Sequence, residues 1–182
     1  MLTSLLGGSY VATVTTSVPP GLSRLNEAAA ESAAELLREV CASGAWVDAV
    51  VRGRPYGGLD DLLAASDAAS AGLTEDDLAE AVAGHPPIGR PAPGDARSAR
   101  EQSGVGEGER EELLRLNLAY QEAHGHVFLI CATGRTGEEM LAALEQRIGN
   151  DAGTERGIVR TELGKINRVR LTRLAEKPED AA

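Results

Sequence analysis

Apolar residues along this chain recur at helical spacing, and the runs are cut by capping residues and glycines. Leu59, Leu62 and Leu63 share a face of a segment from Leu59 to Ala71, the i, i+3, i+4 pattern of an amphipathic helix. Leu113, Leu116, Leu118 and Tyr120 give the apolar positions of a helix from Glu109 to His124. Ile158, Leu163, Ile166 and Leu174 lie near one stripe of a last helix, capped by Asp151 or Thr154 and reaching about Ala175. Start signals divide the rest. Asn26 is placed to cap a helix from Glu27 to about Cys41, broken at Ser43-Gly44. Trp46 to Val51 reads as a short helix ending at Gly53. Thr74 with Asp77 opens a helix that stops at Gly84, and Thr136 with Glu139 opens one to about Ile148. Between Gly84 and Gly108 glycine and proline dominate, around a helix-compatible island from Ala96 to Gln102. A loop of that length in a small domain usually serves a function or moves.

Val127 to Ala132 breaks the pattern. It is a continuous apolar run of strand length with no partner strand, so it reads as an extended or tightly wound buried segment between two helices. The expectation is an all-α fold, a single compact domain of about seven or eight helices. Residues 23–176 would form it, with 1–22 a disordered leader or sequence upstream of the functional start, and 177–182 a polar tail.

Composition narrows this. Apolar residues make up 42% of 182, only five of them aromatic, so Ala, Leu, Val and Ile must fill the core. That mixture favours helices. The net charge of −10 argues against nucleic acid as a partner, because phosphate binding needs a concentrated basic face. The one basic cluster, Lys165, Arg168, Arg170 and Arg173, reads as a solvated helix face. Cys41 and Cys131 fit neither a disulfide framework nor a metal-ligand spacing, which points to a reduced, cytoplasmic protein. No apolar run approaches the roughly 18 residues of a membrane span.

Several residues carry possible chemistry, each with an ordinary structural explanation beside it. His85 precedes Pro86, which favours extended backbone at the histidine; the plain alternative is an exposed loop residue. An imidazole there could move protons at neutral pH. Ser98 and Glu101 are spaced to share a helical face, or to form a capping box. Gln102 adds a donor and an acceptor suited to a cyclic amide or ureido group. Arg135 stands before the cap Thr136, where a guanidinium and free N–H groups could meet an anion; otherwise it is a surface arginine. His124 and His126 read as capping residues at a helix end, and Trp46 and Tyr56 as core or interface anchors.

Taken together, the segments His85-Pro86-Pro87-Ile88-Gly89, Ser98 to Gln102 and Phe128 to Arg135 resemble the 2-oxo-4-hydroxy-4-carboxy-5-ureidoimidazoline (OHCU) decarboxylase family. So do Cys41 to Trp46, Arg54-Pro55-Tyr56, Leu116-Asn117 to Tyr120 and Lys165-Ile166 to Leu171. The resemblance runs from about Leu25 to Leu174. It departs at Pro87, where the family often has Arg or Asp. It implies an all-α, usually homodimeric enzyme without metal or organic cofactor, producing (S)-allantoin in urate degradation. His85 would be the acid/base, and Glu101 would orient it or hold a ring N–H. Pro86, Ser98, Ala99, Arg100 and Gln102 would contact the substrate. The main chain of Phe128, Leu129, Ile130, Cys131 and Ala132 would join them, with Arg135 on an anion or ureido oxygen. Two other readings use the same residues: the same scaffold acting on a different ureido or heterocyclic carboxylic acid, and a non-catalytic helical interaction protein.

Overall fold

The structure, a computed structural model, describes residues 18–90 and 94–178, and among them lie nine α-helices and no strand. They are α1 (Pro20–Glu27), α2 (Ala30–Arg38), α3 (Gly44–Arg52), α4 (Leu59–Ala71), α5 (Glu75–Ala83), α6 (Ala96–Glu101), α7 (Glu107–His124), α8 (Gly137–Arg147) and α9 (Ala152–Glu176). Helix α9 is the axis. It packs against α1, α4 and α5, while α3 bridges α2 and α4, and α7 pairs with α8. The predicted caps act as their chemistry requires. Thr74 accepts from the Asp77 N–H, Thr136 from Glu139, and Asp151 from both Gly153 and Thr154.

The helix expected from Glu27 to about Cys41 is α2, Ala30–Arg38, and a further helix, α1, precedes it, which raises the helix count above seven or eight. Ala28 and Ala29 are extended, and no glycine or proline marks the break. A tertiary partner ends α1 instead: the Arg54 guanidinium takes the carbonyls of Leu25 and Ala28 at 2.6 and 2.8 Å. Asn26 therefore lies in the last turn of α1 rather than capping a helix. Its amide exchanges two 2.9 Å bonds with the backbone of Tyr56, and the Tyr56 hydroxyl donates to the Val50 carbonyl. Tyr56 and Trp46 are both core residues. The Arg54-Pro55-Tyr56 stretch thus staples α1 to α3.

Residues 20–22 belong to the domain and not to a leader. Pro20 sits at the first helical position, where its missing N–H costs nothing, and Gly21 and Leu22 are buried. Residues 1–17 of the expected leader, and 179–182 of the expected tail, lie outside the described residues. Gly21 marks a close approach of α1 to α9, since a Cβ there would stand 1.9 Å from the Leu174 carbonyl oxygen.

The apolar interior falls into two clusters. The larger is built from α1 to α5 and α9, and the smaller from α7 and α8 with Ile88 and Val105. The segment 127–132 runs between them in extended conformation without forming a strand. Side chains of an extended chain alternate between two sides. Val127, Leu129 and Cys131 go to the larger cluster, and Phe128, Ile130 and Ala132 to the smaller. That alternation accounts for the uninterrupted apolar run: both sides are core.

Gly21→Ala should force α1 off α9 and lower unfolding free energy by about 1–3 kcal/mol, the range for overpacking. Urea denaturation measures it. A loss under about 0.5 kcal/mol, the scale of ordinary surface changes, would show that α1 is not docked at this position.

Candidate active site

One small cavity collects most of the residues that the sequence singles out. His85, Pro86, Ser98, Glu101, Gln102 and the whole run Phe128 to Ala132 line it. Each arrives for a local reason. His85 follows the α5 C-cap Gly84, and its Nδ1 lies 2.9 Å from the Ala81 carbonyl. A carbonyl only accepts, so Nδ1 carries the proton and Nε2 is left as a bare lone pair. Nε2 is buried with no protein partner among the described residues. The cavity holds about 20 Å³, room for roughly one water.

The ring is held neutral. Burial first, then the Arg170 charge, lowers the His85 pKa from 6.5 to about 4, against smaller upward pulls from the Ala81 bond and Glu101. A protonated ring here would lose its hydration and face a cation.

Helix α6 presents the polar wall. Asp95 is its N-cap rather than Ser98; the Ser98 N–H and hydroxyl both donate to the Asp95 carboxylate, at 3.0 and 2.5 Å. The capping box read for Ser98 and Glu101 therefore does not form. Glu101 is held instead from α9: Arg170 Nε and Nη2 donate to its two oxygens at 3.0 and 2.8 Å, with Arg173 Nη1 at 3.5 Å. A third Arg170 nitrogen donates to the Val40 carbonyl at 2.9 Å. The Arg170 and Glu101 side chains are only 9% and 12% exposed, so this bidentate pair is a rigid fork. Gln102 turns its amide to the neighbouring loop. Its Oε1 accepts from Gly89 at 2.9 Å, and its Nε2 points to the Pro87 carbonyl at 3.5 Å. Asn117 takes the Ile88 carbonyl of the same loop.

The extended segment supplies the opposite wall. Its odd-numbered residues are bound to the scaffold: the Leu129 carbonyl to Arg147, the Cys131 N–H to Glu162, and the Cys131 carbonyl to Arg135. Polar groups of successive residues in an extended chain point to opposite edges. The N–H and carbonyl of Ile130 thus face away from those anchors, and no described residue engages them. Burial pushes the Cys131 thiol up and keeps it protonated.

Three predicted residues lie outside the cavity. Ala99 and Arg100 are exposed on α6, and Arg135 braces the segment from behind through the Cys131 carbonyl. Sequence reading missed Arg170, which lines the cavity and does not belong to a solvated face. A signal was present, since Arg170 stands four residues after Ile166 and four before Leu174, on the apolar stripe itself. The histidines of α7 differ too. His124 Nε2 meets the Ile148 carbonyl at the end of α8 at 3.2 Å, and His126 meets the Val127 carbonyl, so neither caps α7. Among the described residues no group of three or more His, Cys, Asp or Glu is arranged to hold a metal ion.

Comparison with known proteins gives the family of the chain. The OHCU decarboxylase family model matches residues 26–172. The Uric acid degradation bifunctional protein TTL of Arabidopsis thaliana is 37% identical over 108 residues, 54% of this chain and 33% of that protein. The 2-oxo-4-hydroxy-4-carboxy-5-ureidoimidazoline decarboxylase of Amia calva is 35% identical over 88 residues, 46% of this chain and 50% of that one. The chain thus spans a third of the first relative and half of the second. The Haloferax volcanii decarboxylase of the same name is 26% identical over 162 residues, 86% of this chain and 95% of that one. A crystal structure of OHCU decarboxylase in the presence of (S)-allantoin superposes with a TM-score of 0.70 at 25% identity, covering 82% of this chain and all of that one. A crystal structure of (S)-allantoin synthase shares the fold, with a TM-score of 0.65 at 22% identity, over 84% of this chain and 53% of that one. With most of its length matched by the family model, the chain belongs to the OHCU decarboxylase family.

Proposed function

We propose that this chain decarboxylates OHCU to (S)-allantoin in urate degradation, with His85 as the acid/base. The observation that carries the reading is the bare Nε2 of a neutral, buried His85, facing a small cavity walled by Glu101, Arg170 and free main-chain groups, which widens from its one-water volume to admit the substrate. The substrate bears a carboxylate and a hydroxyl on one ring carbon, beside a ring carbon doubly bonded to nitrogen. When CO₂ leaves, the electron pair passes into that C=N bond, so the substrate is its own electron sink. The pair ends on the ring nitrogen, which takes up a proton from solvent, leaving an enol. Nε2 accepts the enol hydroxyl proton as the ring ketone forms, and the imidazolium so made returns a proton to the neighbouring carbon from one side, which sets the handedness.

The neighbours of His85 fit that sequence. Of the five guanidinium N–H groups of Arg170, three are committed to Glu101 and Val40, leaving two for the substrate anion. An anion there offsets the charge that depresses His85, so the base strengthens when substrate is bound. Glu101, fixed by the same arginine, accepts a ring N–H. Ser98 and the Ile130 main chain contact the remaining polar edge. Gln102 acts one step back, by holding the Pro87–Gly89 loop. A homodimer working in the cytoplasm without a cofactor belongs to the same reading.

OHCU made in place from urate, with chiral allantoin followed by circular dichroism, tests it. Wild type should give a fast enantioselective signal. His85→Gln should lose roughly 10²–10⁴-fold in kcat, the worth of a positioned acid/base, while remaining folded. Slow racemic allantoin from folded wild type would reject the substrate, and a His85→Gln loss under about tenfold would reject the base.

The depressed pKa also predicts a pH dependence of stability. Above pH 6.5 the ring is neutral in both folded and unfolded chains, and the native state carries no penalty. Below 6.5 the unfolded chain gains a proton that the native state refuses until about 4, so stability falls across that window. The full loss is about 3 kcal/mol. In urea titrations from pH 7 down to 4, His85→Gln should lose less stability than wild type by most of that amount. Parallel curves would mean that the ring is not held neutral by burial.

A further inference from the structure

Arg170 lines a second, larger cavity, an open groove of about 650 Å³ whose composition departs from that of the chain. Six cationic side chains converge on it: Arg24 from α1, Arg97 and Arg100 from α6, and Arg170, Arg173 and Lys177 from α9 and its C-cap. That is a third of the 18 lysines and arginines of a chain whose net charge is −10. The nearby carboxylates are those of Glu39, Asp95 and Glu101, which leaves three positive charges uncompensated.

Apart from the Arg170–Glu101 fork, the pairing within the groove is poor. Arg97 reaches Glu39 only at 3.6 Å, and that carboxylate is 76% exposed, a geometry worth little. Asp95 is committed to Ser98 as the cap of α6. The Nε atoms of Arg24 and Arg97 are buried and bond to no described residue. A buried guanidinium N–H without an acceptor is costly, and neither guanidinium is held by a strong partner among the described residues. Because the charges come from three separate helices, they are not the solvated face of one. The floor between them is apolar, made by Leu36, Val40 and Leu174.

We propose that this groove is a second anion-binding site, for a compact oxyanion of two or more negative charges, phosphoryl or polycarboxylate. Guanidinium groups bind both chemistries through paired N–H bonds. Arg24, Arg97 and Arg100 are the primary contacts, with Lys177 and Arg173 adding charge. The site does not depend on the decarboxylase reading, because it rests on the groove's own side chains.

Isothermal titration of inorganic pyrophosphate, and separately of citrate, into the full chain at constant ionic strength is the test. Saturable one-to-one binding is expected, with Kd below about 1 mM. It should weaken by about tenfold or more in Arg100→Gln and in Arg24→Gln/Arg100→Gln. It should persist in Arg115→Gln, which changes an exposed pair on α7. Both sites mutated are at least partly exposed, and unfolding midpoints verify that the variants remain folded. Binding of pyrophosphate alone identifies a phosphoryl ligand, and binding of citrate alone a polycarboxylate. Heats no larger than those of sodium chloride at matched ionic strength, or binding unchanged in both groove variants, would overturn the proposal.

Discussion

Arg147 carries a charge into the interior. There its Nε and Nη2 donate to one Glu155 oxygen at 2.9 and 2.6 Å, and Nη1 donates to the Leu129 carbonyl at 2.9 Å. Its guanidinium also lies over the Phe128 ring, 4.5 Å from the centroid. Burial works to raise the Glu155 carboxyl, yet hydrogen bonds from Arg147, Tyr120 and Asn150 together hold it below the usual range. A buried pair of this kind adds little net stability, but removing one partner strands the other charge. Its structural effect is positional: α8, α9 and the extended segment are fixed to one another at a single point.

The geometry of the cavity depends on that fixation. An extended backbone without a partner strand would waste its polar groups in an apolar interior. Here Arg147, Glu162 and Arg135 take one edge, and on the other the N–H and carbonyl of Ile130 meet no described residue. Arg170 does the same for Glu101 on the facing wall. The His85 ring is oriented by a backbone carbonyl of the helix before it. Each of these groups is thus held by a different element of the scaffold.

Much of this was readable in the sequence because it is local. Thr74, Thr136 and Asp151 cap helices with their own neighbours, and the Leu59–Ala71 stripe needs only its spacing. The Pro after His85 and the apolar run at 127–132 identified two walls of the cavity. What escaped reading was set by partners distant in sequence. The break between α1 and α2 is imposed by Arg54. The environment of Glu101 is decided by Arg170, 69 residues away. Ser98 looked like a cap because Asp95, three residues earlier, competes for the same role and wins with a carboxylate. Arg100 looked like a contact in the His85 cavity by adjacency to Glu101, but a helix turns neighbouring side chains to different sides, and Arg135, ahead of α8, turns back to the Cys131 carbonyl.

The proposed chemistry requires a neutral His85 whose Nε2 faces the cavity. Two-bond ¹⁵N–¹H correlation spectra of the imidazole, recorded from about pH 7 to 4 and assigned with His85→Gln, read tautomer and charge together. The prediction is a single Nδ1–H tautomer that stays neutral well below pH 6.5 and protonates near pH 4. An Nε2–H tautomer, or ordinary titration near the unperturbed value of about 6.5, would contradict it.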